Sequence, residues 1–426
     1  MKEKLGLSYL PDLWQAHAVQ RLLLGFDAMV VAATGLGKLL IFEGTAALAG
    51  PGKLVIVVCP LKALEVDQVQ QACAKGLDAL AINEDTDKST STWEHIRTRA
   101  NLVYMSPEMS RSASFTQKLW KDAKFRKRVA AFTVDEAHCI DEWGEDDFRP
   151  AYRLLGDVRR FLGLDVPFCA VTATCLKQPS WSQIHRTLHF GNRPFWGIDV
   201  GADRHNLFFH TRVLENAKNP VLDALNILPV KLETMTAPGD VPKCLFYFES
   251  PAACRAAVDI LRQVLPAHLR NCVYAFTGMN TAKSKAKCWE GLANGSIRIV
   301  CATDAAGMGC SIPDVEFTVV FGTPSSLSVL LQRWGRAGRA RSSVGVCLLF
   351  VPPWAVRPEL RPAVPATQKN KRAEEPKRDV KARAGLDPLL EGFINIAALP
   401  GKLLNSCCLH YLTRYLRHKL SARVCA

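Results

Sequence analysis

The chain has 426 residues, 48% of them hydrophobic, a balance typical of packed globular domains that excludes disorder throughout. No unbroken apolar stretch reaches the roughly 18 residues of a membrane-spanning helix, and the first residues, MKEKLGLSYLPDLW, lack the apolar core of a signal peptide. We therefore expect a soluble protein that is not obviously exported. Lys and Arg outnumber Asp and Glu by 54 to 40, and this net charge of +14 favours a polyanionic partner.

The first part of the chain predicts an α/β unit. Short β-branched runs alternate there with longer helical patterns: AMVVAA ending at Ala33, LVIVVC ending at Cys59, LVYM ending at Met105, AAFTVD ending at Asp135 and PFCAVT ending at Thr172. Near-continuous apolar strands of this kind belong to a parallel sheet covered on both faces.

A second series of strands predicts a second α/β unit: CLFYF from Cys244, IRIVCA from Ile297, FTVVF from Phe317 and VGVCLLF from Val344. Ser250 and Pro251 supply a side-chain cap and a first-turn proline for a helix running to about Leu265. The junction is expected between Leu176 and Asn206, where the strand pattern lapses. The fold class is therefore α/β, with two doubly wound parallel-sheet lobes at residues 1–190 and 206–352 and a tail at residues 353–426.

Fifteen cysteines are present, an odd number, and Cys59, Cys169 and Cys301 lie inside apolar runs that read as strands. We expect buried, reduced thiols and no disulfide framework.

A glycine-rich segment follows the first predicted strand and opens a helix. It consists of Ala33, Thr34, Gly35, Leu36, Gly37 and Lys38. Glycines let backbone N–H groups converge on phosphate oxygens at a helix N-terminus, and a lysine neutralises the outer phosphates. The pattern predicts a nucleotide-binding loop, although an ordinary strand-to-helix turn is the alternative for this segment taken alone.

Leu39 occupies the position at which such a loop normally supplies a Ser or Thr hydroxyl to magnesium. Leucine cannot ligate a metal, whereas water can fill the vacated coordination site. Nucleotide binding is therefore expected to survive better than catalysis.

Asp135 and Glu136 end a predicted strand and are followed by Ala137 and His138. A carboxylate at the carboxyl edge of a parallel sheet can orient magnesium through water, and a second one can act as general base for the attacking water. A solvated turn is the alternative interpretation.

The next residues, CIDEWGEDDFRPAYRLLG from Cys139, together with Asp135 to His138, resemble the RecQ family of superfamily 2 DNA helicases in its DEAH-box form. The resemblance covers about residues 10–350. It implies two RecA-like lobes, ATP and Mg²⁺ as cofactors, and an aromatic-rich loop, matched by Trp143, Phe148 and Arg149, that senses single-stranded DNA. A Trp and a Phe in a polar loop are also suited to stack on bases, although Trp143 could instead anchor the loop to the core. Five acids within positions 141–147 would repel a phosphate backbone.

Further family motifs appear in order. Gln15 resembles the adenine-reading glutamine that precedes the phosphate loop. Two segments resemble family motifs that touch the DNA backbone. One runs from Cys59 and Pro60 through Gln68, and the other begins at Tyr104 and includes Ser106. Thr172 to Thr174 resemble the motif that couples hydrolysis to lobe movement.

In the second lobe, the segment from Ala302 through Asp304 and Gly307 is similar to the family motif that faces both DNA and nucleotide. The sequence QRWGRAGR, from Gln332 to Arg339, closely matches the last helicase motif. We expect Arg336 and Arg339, three residues apart on one helical side, to reach phosphates together, one of them as the arginine finger. A solvated basic helix is the alternative.

The tail, residues 353–426, has 14 Lys or Arg against 6 Asp or Glu and so carries +8 of the net charge. Residues 352–384 lack periodicity and predict a disordered basic linker, with a helix or two from Leu389 onwards. The run at residues 369–383 is compatible with a nuclear-import signal, a nucleic-acid contact or a solubilising linker. Cys407, Cys408, His410 and Cys425 have a spacing that fits no paired zinc-ligand set, so we expect no zinc site.

Two functions follow. The first is an ATP-dependent helicase that, as the resemblance implies, moves 3′ to 5′ on single-stranded and partly duplex DNA in the nucleus, in repair or recombination. The second is a catalytically impaired DNA-binding protein derived from such a helicase, suggested by Leu39. A motor acting on RNA is less supported, because the aromatic loop resembles that of DNA helicases.

Overall fold

In a computed structural model the chain forms two compact units, Met1–Ala202 and Asp203–Ala426. The structure describes residues 1–60, 62–141, 149–173, 178–201, 204–225, 232–306, 312–340, 343–360, 376–397 and 404–405. Each unit is an α/β fold built around a sheet, which confirms the predicted fold class.

The first unit contains a parallel sheet whose strand order is β3-β4-β2-β5-β6-β1-β7. The strands are β1 Asp27–Ala32, β2 Leu54–Val58, β3 Ala79–Ile82, β4 Leu102–Met105, β5 Val129–Val134, β6 Phe168–Thr172 and β7 Phe195–Gly201. Strands β1, β2, β4 and β6 are buried along their whole length, as their continuous apolar sequences require.

Helices connect these strands and cover both faces of the sheet with apolar side chains. They are α1 Leu13–Leu23, α2 Leu39–Leu48, α3 Lys62–Ala74, α4 Thr90–Thr98, α5 Pro107–Ser110, α6 Ala113–Phe115, α7 Ala123–Arg128, α8 Arg159–Leu162 and α9 Gln178–Thr187. A π-helical turn spans Thr116–Trp120, and a 3-10 segment spans Pro150–Val158.

The carboxyl ends of the parallel strands meet at one edge of the sheet. Strand β1 ends there before residue 33, β2 before Cys59, β4 before Ser106, β5 before Asp135 and β6 before Ala173. Parallel α/β sheets bind their ligands at this edge. The predicted first-unit motifs therefore converge because the sheet is parallel.

The second unit contains a sheet of order β10-β11-β9-β12-β13-β8-β14, in which only β14 pairs antiparallel among the described strands. The strands are β8 Leu207–Val213, β9 Cys244–Tyr247, β10 Val273–Phe276, β11 Ile299–Ala302, β12 Phe317–Phe321, β13 Gly345–Val351 and β14 Leu404–Asn405. The helices are α10 Val221–Leu225, α11 Pro251–Val264, α12 Ala282–Asn294, α13 Leu327–Trp334, α14 Lys377–Ala384 and α15 Pro388–Ala397. Short 3-10 turns span Leu232–Thr234, Pro238–Asp240, Ala267–Cys272, Asp304–Ala306, Pro353–Ala355 and Pro358–Leu360.

The predicted start of α11 is confirmed. Ser250 accepts a hydrogen bond from Ala253 N at 3.2 Å, and Pro251 occupies the first turn. The junction between the units falls within the expected range, Leu176–Asn206. The strand pattern does not lapse there as predicted, because β7 adds to the edge of the first sheet. The first unit thus continues past residue 190.

The prediction of a disordered linker is wrong for residues 352–360, which hold the turns Pro353–Ala355 and Pro358–Leu360, and for residues 377–384, which form helix α14. Arg383 Nη1 donates to Trp354 O at 3.0 Å and to Val356 O at 3.1 Å, so this helix is attached to the turn after β13. The predicted helix near Leu389 is confirmed as α15. Residues 361–375, which include the first part of the basic run at 369–383, and the candidate zinc ligands from Cys407 onwards lie outside the described residues.

Ten cysteines fall within the described residues; all have free thiols, and nine are buried. The expectation of reduced, buried thiols is confirmed for this part of the chain. Across the described ranges, no helix combines the length and apolarity needed to cross a bilayer.

Candidate nucleotide-binding and DNA-binding site

The phosphate loop, residues 33–39, runs from β1 into α2 through two glycines in the left-handed region. Gly35 has a φ of +89° and Gly37 a φ of +77°, conformations that other residues rarely adopt. A Cβ atom on Gly37 would lie 2.9 Å from Gln15 Nε2, so this position also lacks room for a side chain. Turns of this kind expose consecutive backbone N–H groups, which bind phosphate oxygens.

Gln15 fixes the phosphate loop from the side of α1. Its Nε2 donates to Leu36 O at 3.0 Å and to Gly37 O at 3.1 Å, and its Oε1 accepts from Asp12 N at 2.9 Å. The side chain is only 2% exposed. The predicted contact with adenine stays a prediction, because the contacts of this amide in the structure are to backbone atoms of the protein.

Lys38 lies at the end of the phosphate loop, immediately before α2. Its Nζ donates to Ala32 O at 2.9 Å and to Ala33 O at 3.3 Å. Its positive charge lowers the pKa of Asp135, so the amine lies close enough to act on that carboxylate. The predicted phosphate lysine and magnesium-orienting aspartate are thus brought together at the edge of the sheet.

Asp135 is 6% exposed and is surrounded by charged and polar groups. Burial and the neighbouring charge of Glu136 raise its pKa to about 6, against the effects of Lys38 and of a hydrogen bond from Gln68. Its Oδ1 accepts from Glu136 N at 2.9 Å, and its Oδ2 accepts from Gln68 Nε2 at 3.0 Å. Perturbed carboxylates of this kind cluster at functional sites.

Glu136 and His138 form a polar cluster with the end of β6. Glu136 has a φ of +47°, an unusual backbone conformation for a residue other than glycine. His138 Nδ1 lies 2.8 Å from Thr172 Oγ1 and 3.4 Å from Glu136 Oε2. The candidate general base is therefore linked through His138 to the strand end predicted to couple hydrolysis to movement. Thr174 lies outside the described residues.

Leu39 is half-buried and packs, like Leu36, against the apolar cluster that covers one face of the first sheet, while Thr34 is half-buried within the loop. The oxygen donors at this edge suit Mg²⁺, which prefers carboxylates, phosphates and water. Asp135 supplies one such donor, whereas Leu39 supplies none. The residues fit a nucleotide with its metal, with one ligand fewer than the motif normally provides.

Arg149 makes its contacts within the first unit. Its guanidinium forms a two-point ion pair with Glu108, with Nε to Oε1 at 3.0 Å and Nη2 to Oε2 at 2.7 Å, and Nη1 donates to Pro60 O. Ser106 is buried and caps α5 by accepting from Met109 N at 3.1 Å. Three of the predicted DNA-contacting segments are thus joined by Arg149.

The aromatic residues of the predicted DNA sensor, Trp143 and Phe148, lie outside the described residues. The DNA contacts of Pro60, Ser106 and Arg149 stay predictions.

In the second unit the last motif is not wholly helical. Helix α13 ends at Trp334, and the arginine loop, residues 335–340, continues as turns with Gly338 at a φ of +55°. The prediction that Arg336 and Arg339 share one side of a helix is therefore wrong, because the helix stops before both. Gln332 lies in the last turn of α13, and Arg339 Nε donates to Gly335 O at 3.2 Å.

Asp304 pairs with Arg333, a residue that the sequence did not single out. Arg333 donates to Asp304 Oδ1 from Nε at 2.9 Å and from Nη2 at 2.7 Å, and its guanidinium lies 5.4 Å from the ring centre of Tyr247. Tyr247 OH donates to Ala306 O at 3.3 Å. These contacts join β9, the turn after β11 and α13. Gly307 lies outside the described residues.

Comparison with known proteins assigns the two units. Residues 13–180 match the family described as DEAD/DEAH box helicase, and residues 235–341 match the helicase conserved C-terminal domain. The two units are therefore similar to the two domains of DEAD/DEAH box helicases.

Among these helicases, the chain is similar to proteins of the RecQ type. It is 30% identical over 334 residues to the ATP-dependent helicase SGS1 of Saccharomyces cerevisiae, covering 76% of this chain and 22% of that protein. It is 29% identical to the probable ATP-dependent DNA helicase RecS of Bacillus subtilis, and the match covers 78% of this chain and 63% of that protein. It is 30% identical to the ATP-dependent DNA helicase RecQ of Haemophilus influenzae, and the match covers 79% of this chain and 51% of that protein. The matched region thus spans between about a fifth and two thirds of these relatives.

Solved structures share the fold. Helicase Lhr of Mycobacterium smegmatis, bound to single-stranded DNA and AMP-PNP, matches with a TM-score of 0.62 at 20% identity. The match covers 82% of this chain and 47% of that chain. Helicase MrfA bound to DNA matches with a TM-score of 0.63 at 19% identity, and the match covers 82% of this chain and 50% of that chain. Similarity at this level supports the fold of the two α/β units, whereas the activity must be argued from the residues of the site.

Proposed function

We propose that this chain is the ATP-driven motor of a RecQ-like DNA helicase. The observation that carries the proposal is the grouping of Lys38, Asp135 and Glu136 at the carboxyl edge of the first sheet, beside a loop with two left-handed glycines. The names of the relatives, ATP-dependent helicase and ATP-dependent DNA helicase, support the same activity.

In this proposal the backbone N–H groups of the phosphate loop and the Lys38 amine hold the β- and γ-phosphates of ATP. Mg²⁺, when bound, neutralises phosphate charge, and Asp135 orients it through water. Glu136 accepts a proton from a water molecule. The water oxygen bonds to the γ-phosphorus while the bond from the γ-phosphorus to the β-γ bridging oxygen breaks, so that ADP is the leaving group. Arg336 and Arg339 stabilise the negative charge that develops on the transferred group.

Several finer assignments belong to the proposal and rest on the resemblance to RecQ helicases. They are translocation on single-stranded DNA in the 3′ to 5′ direction, action on partly duplex DNA, and a place in DNA repair or recombination. Nuclear localisation rests on the basic run at residues 369–383.

A catalytically impaired, DNA-binding relative of these helicases is the second candidate. The observation in its favour is Leu39, whose side chain packs on the apolar cluster and offers no oxygen to a metal. Metal clamping contributes several kcal/mol to phosphoryl-transfer transition states, so turnover is expected to be about a hundredfold below that of a loop with Ser or Thr.

ATP turnover by the purified chain, with and without single-stranded DNA, tests the proposal. We expect DNA-stimulated turnover that Lys38→Ala abolishes and that Lys88→Ala, at an exposed lysine of the same unit, leaves unchanged. Turnover retained in Lys38→Ala would refute the phosphate-loop assignment. DNA binding by a wild-type chain without turnover would favour the impaired relative.

A further inference from the structure

Arg204 is a buried arginine whose partners are three backbone carbonyl oxygens and, at 3.4 Å, the side-chain oxygen of Asn206. It is 6% exposed, and no carboxylate in the described ranges pairs with it. Nη1 donates to Ala337 O at 3.0 Å and to Gly335 O at 3.4 Å, and Nη2 donates to Gly338 O. Burying a cation without an anionic partner is costly. A guanidinium at this position therefore has a specific task, which is to hold three carbonyl groups of the arginine loop.

Asn206 holds the same loop from two residues further along the chain. Its Nδ2 donates to Gly338 O at 2.7 Å and to Ser343 O at 2.6 Å. Gly338 O thus accepts from both Arg204 and Asn206. A Cβ atom on Gly338 would lie 3.0 Å from Asn206 Nδ2, so the loop and the amide are closely fitted.

These contacts lead directly to one of the proposed catalytic arginines. Gly335 O accepts from Arg204 Nη1 and also from Arg339 Nε, at 3.2 Å. Gly335 follows the last residue of α13, where a helix leaves its final carbonyl groups without intrahelical donors. A cation is favourable at that end of a helix, and a planar guanidinium presents more donors, in a fixed fork, than a lysine does.

We infer that Arg204 and Asn206 are positioning residues for the arginine loop and set the placement of Arg336 and Arg339 for phosphoryl transfer. The inference rests on the proposed ATP hydrolysis. Arg204 and Asn206 act through the backbone of residues 335–338 and do not touch the nucleotide. The fixed geometry lowers the reorganisation that the transition state would otherwise require.

Two substitutions with little change in volume test this inference. Arg204→Lys keeps the charge and loses the fork of donors, and Asn206→Asp replaces the donating group with an oxygen that faces two carbonyls. Arg212→Lys and Asn219→Asp are matched controls at exposed positions of the same unit. We expect kcat with saturating single-stranded DNA to fall about a hundredfold in both test variants, because small displacements of catalytic groups cost that much. The KM for ATP should stay within about threefold, since the phosphate loop is intact.

Hydrogen exchange in nucleotide-free protein gives a readout that does not depend on turnover. The amides of Gly338 and Ala340 donate to Val315 O at 2.8 Å and to Pro313 O at 2.9 Å. We expect them to exchange at least about tenfold faster in both test variants and at the wild-type rate in the controls. Unchanged exchange, or a kcat within twofold of an active wild type, would overturn the inference. A wild-type chain without turnover would defeat the proposed function, and the exchange rates alone would then decide whether the two residues hold the loop.

Discussion

Gln68 donates a hydrogen bond to Asp135 across 67 residues of sequence, with Nε2 and Oδ2 3.0 Å apart. Its Oε1 accepts from Cys59 Sγ at 3.1 Å, so both ends of the buried amide are fixed. The sequence placed Gln68 in a segment expected to touch the DNA backbone. In the structure it supports the nucleotide site, because α3 turns this side chain toward the end of β5.

Gln68→Leu is expected to shift the pH dependence of ATP turnover. Burial and Glu136 raise the pKa of Asp135, and losing the Gln68 hydrogen bond removes one of the effects that oppose them. One such bond corresponds to about one pKa unit. The acidic limb of kcat/KM for ATP should therefore move up by about one pH unit. Gln71→Leu, which removes an amide bonded to Asp67 on the same helix, is the control. A limb that does not move would mean that Gln68 has no influence on Asp135.

Asp135→Asn is expected to abolish turnover and to stabilise the fold. The pKa of Asp135 is about 6 in the folded chain, against an ordinary value of 3.8. The unfolded chain therefore ionises more readily, and stability is lost as the pH rises from about 3.8 to about 6, with the full cost present above about pH 6. A difference of about two units corresponds to about 3 kcal/mol, less the loss of one hydrogen bond, since asparagine keeps one acceptor oxygen.

Thermal unfolding in EDTA tests whether Asp135→Asn raises or lowers the stability of the fold. The Tm of Asp135→Asn should exceed that of the wild type at pH 7.5. The gap should shrink by roughly half at pH 5, because the wild-type carboxylate becomes protonated in the folded state as the pH falls through 6. A variant that melts below the wild type at pH 7.5 would contradict the assignment of a buried carboxylate with a raised pKa.

Leu39→Ser should change activity and stability in opposite directions. A hydroxyl at the start of α2 restores a metal ligand, so turnover with Mg²⁺ should rise by at least about tenfold. Loss of a half-buried leucine should lower the free energy of unfolding by about 1 to 2 kcal/mol. Ile198→Ser is the matched control, because Ile198 is half-buried against the same apolar cluster, lies outside the phosphate loop and should show the stability loss alone. Equal turnover in Leu39→Ser and wild type would show that the missing ligand does not limit catalysis.

The sequence predicted the buried strands well and the strands near the sheet edges poorly. All nine predicted strands are present, because strands covered on both faces have continuous apolar sequences that few other elements share. Strand β8, with sequence LFFHTRV, alternates buried and exposed positions, and β7 is only partly buried. Such strands carry polar residues on one face, so their sequences resemble loops.

In the site, sequence patterns located the motifs but not their internal contacts. Lys38 and Asp135 could be placed together because both follow parallel strands. The end of α13 was missed although Gly335, directly after Trp334, is a typical helix stop. The contacts of the following loop could not be predicted, since they come from Arg204, more than a hundred residues earlier in the chain. The pairing of Asp304 with Arg333 likewise joins residues on different elements. An Asp at a strand end and an Arg within a helical motif were the available signals, and neither identifies its partner.

Arg149→Ala is expected to impair DNA-stimulated turnover without changing the salt dependence of DNA binding. The guanidinium of Arg149 is engaged by Glu108 and by Pro60 O, so it orders the protein and is not available to a phosphate in this arrangement. Each phosphate contact contributes about 0.7 to the slope of log affinity against log salt for single strands. That slope should stay unchanged, while stimulation by DNA falls. Arg160→Ala, at an exposed arginine of the same unit, controls for the lost charge. A slope reduced by about 0.7 would instead identify Arg149 as a phosphate contact.

Phe393→Ala is expected to destabilise the second unit, because α15 is part of its core. The Phe393 ring is fully buried and packs edge-on against Trp334 with ring centres 5.6 Å apart. Removing a buried phenylalanine costs about 3 to 5 kcal/mol, and urea unfolding should show a loss of this size. Val380→Ala, at an exposed position of α14, should be nearly neutral. Since Trp334 directly precedes the arginine loop, kcat for ATP should also fall in Phe393→Ala under conditions in which the variant remains folded. A stability loss below about 1 kcal/mol would indicate that α15 does not pack on α13 in solution.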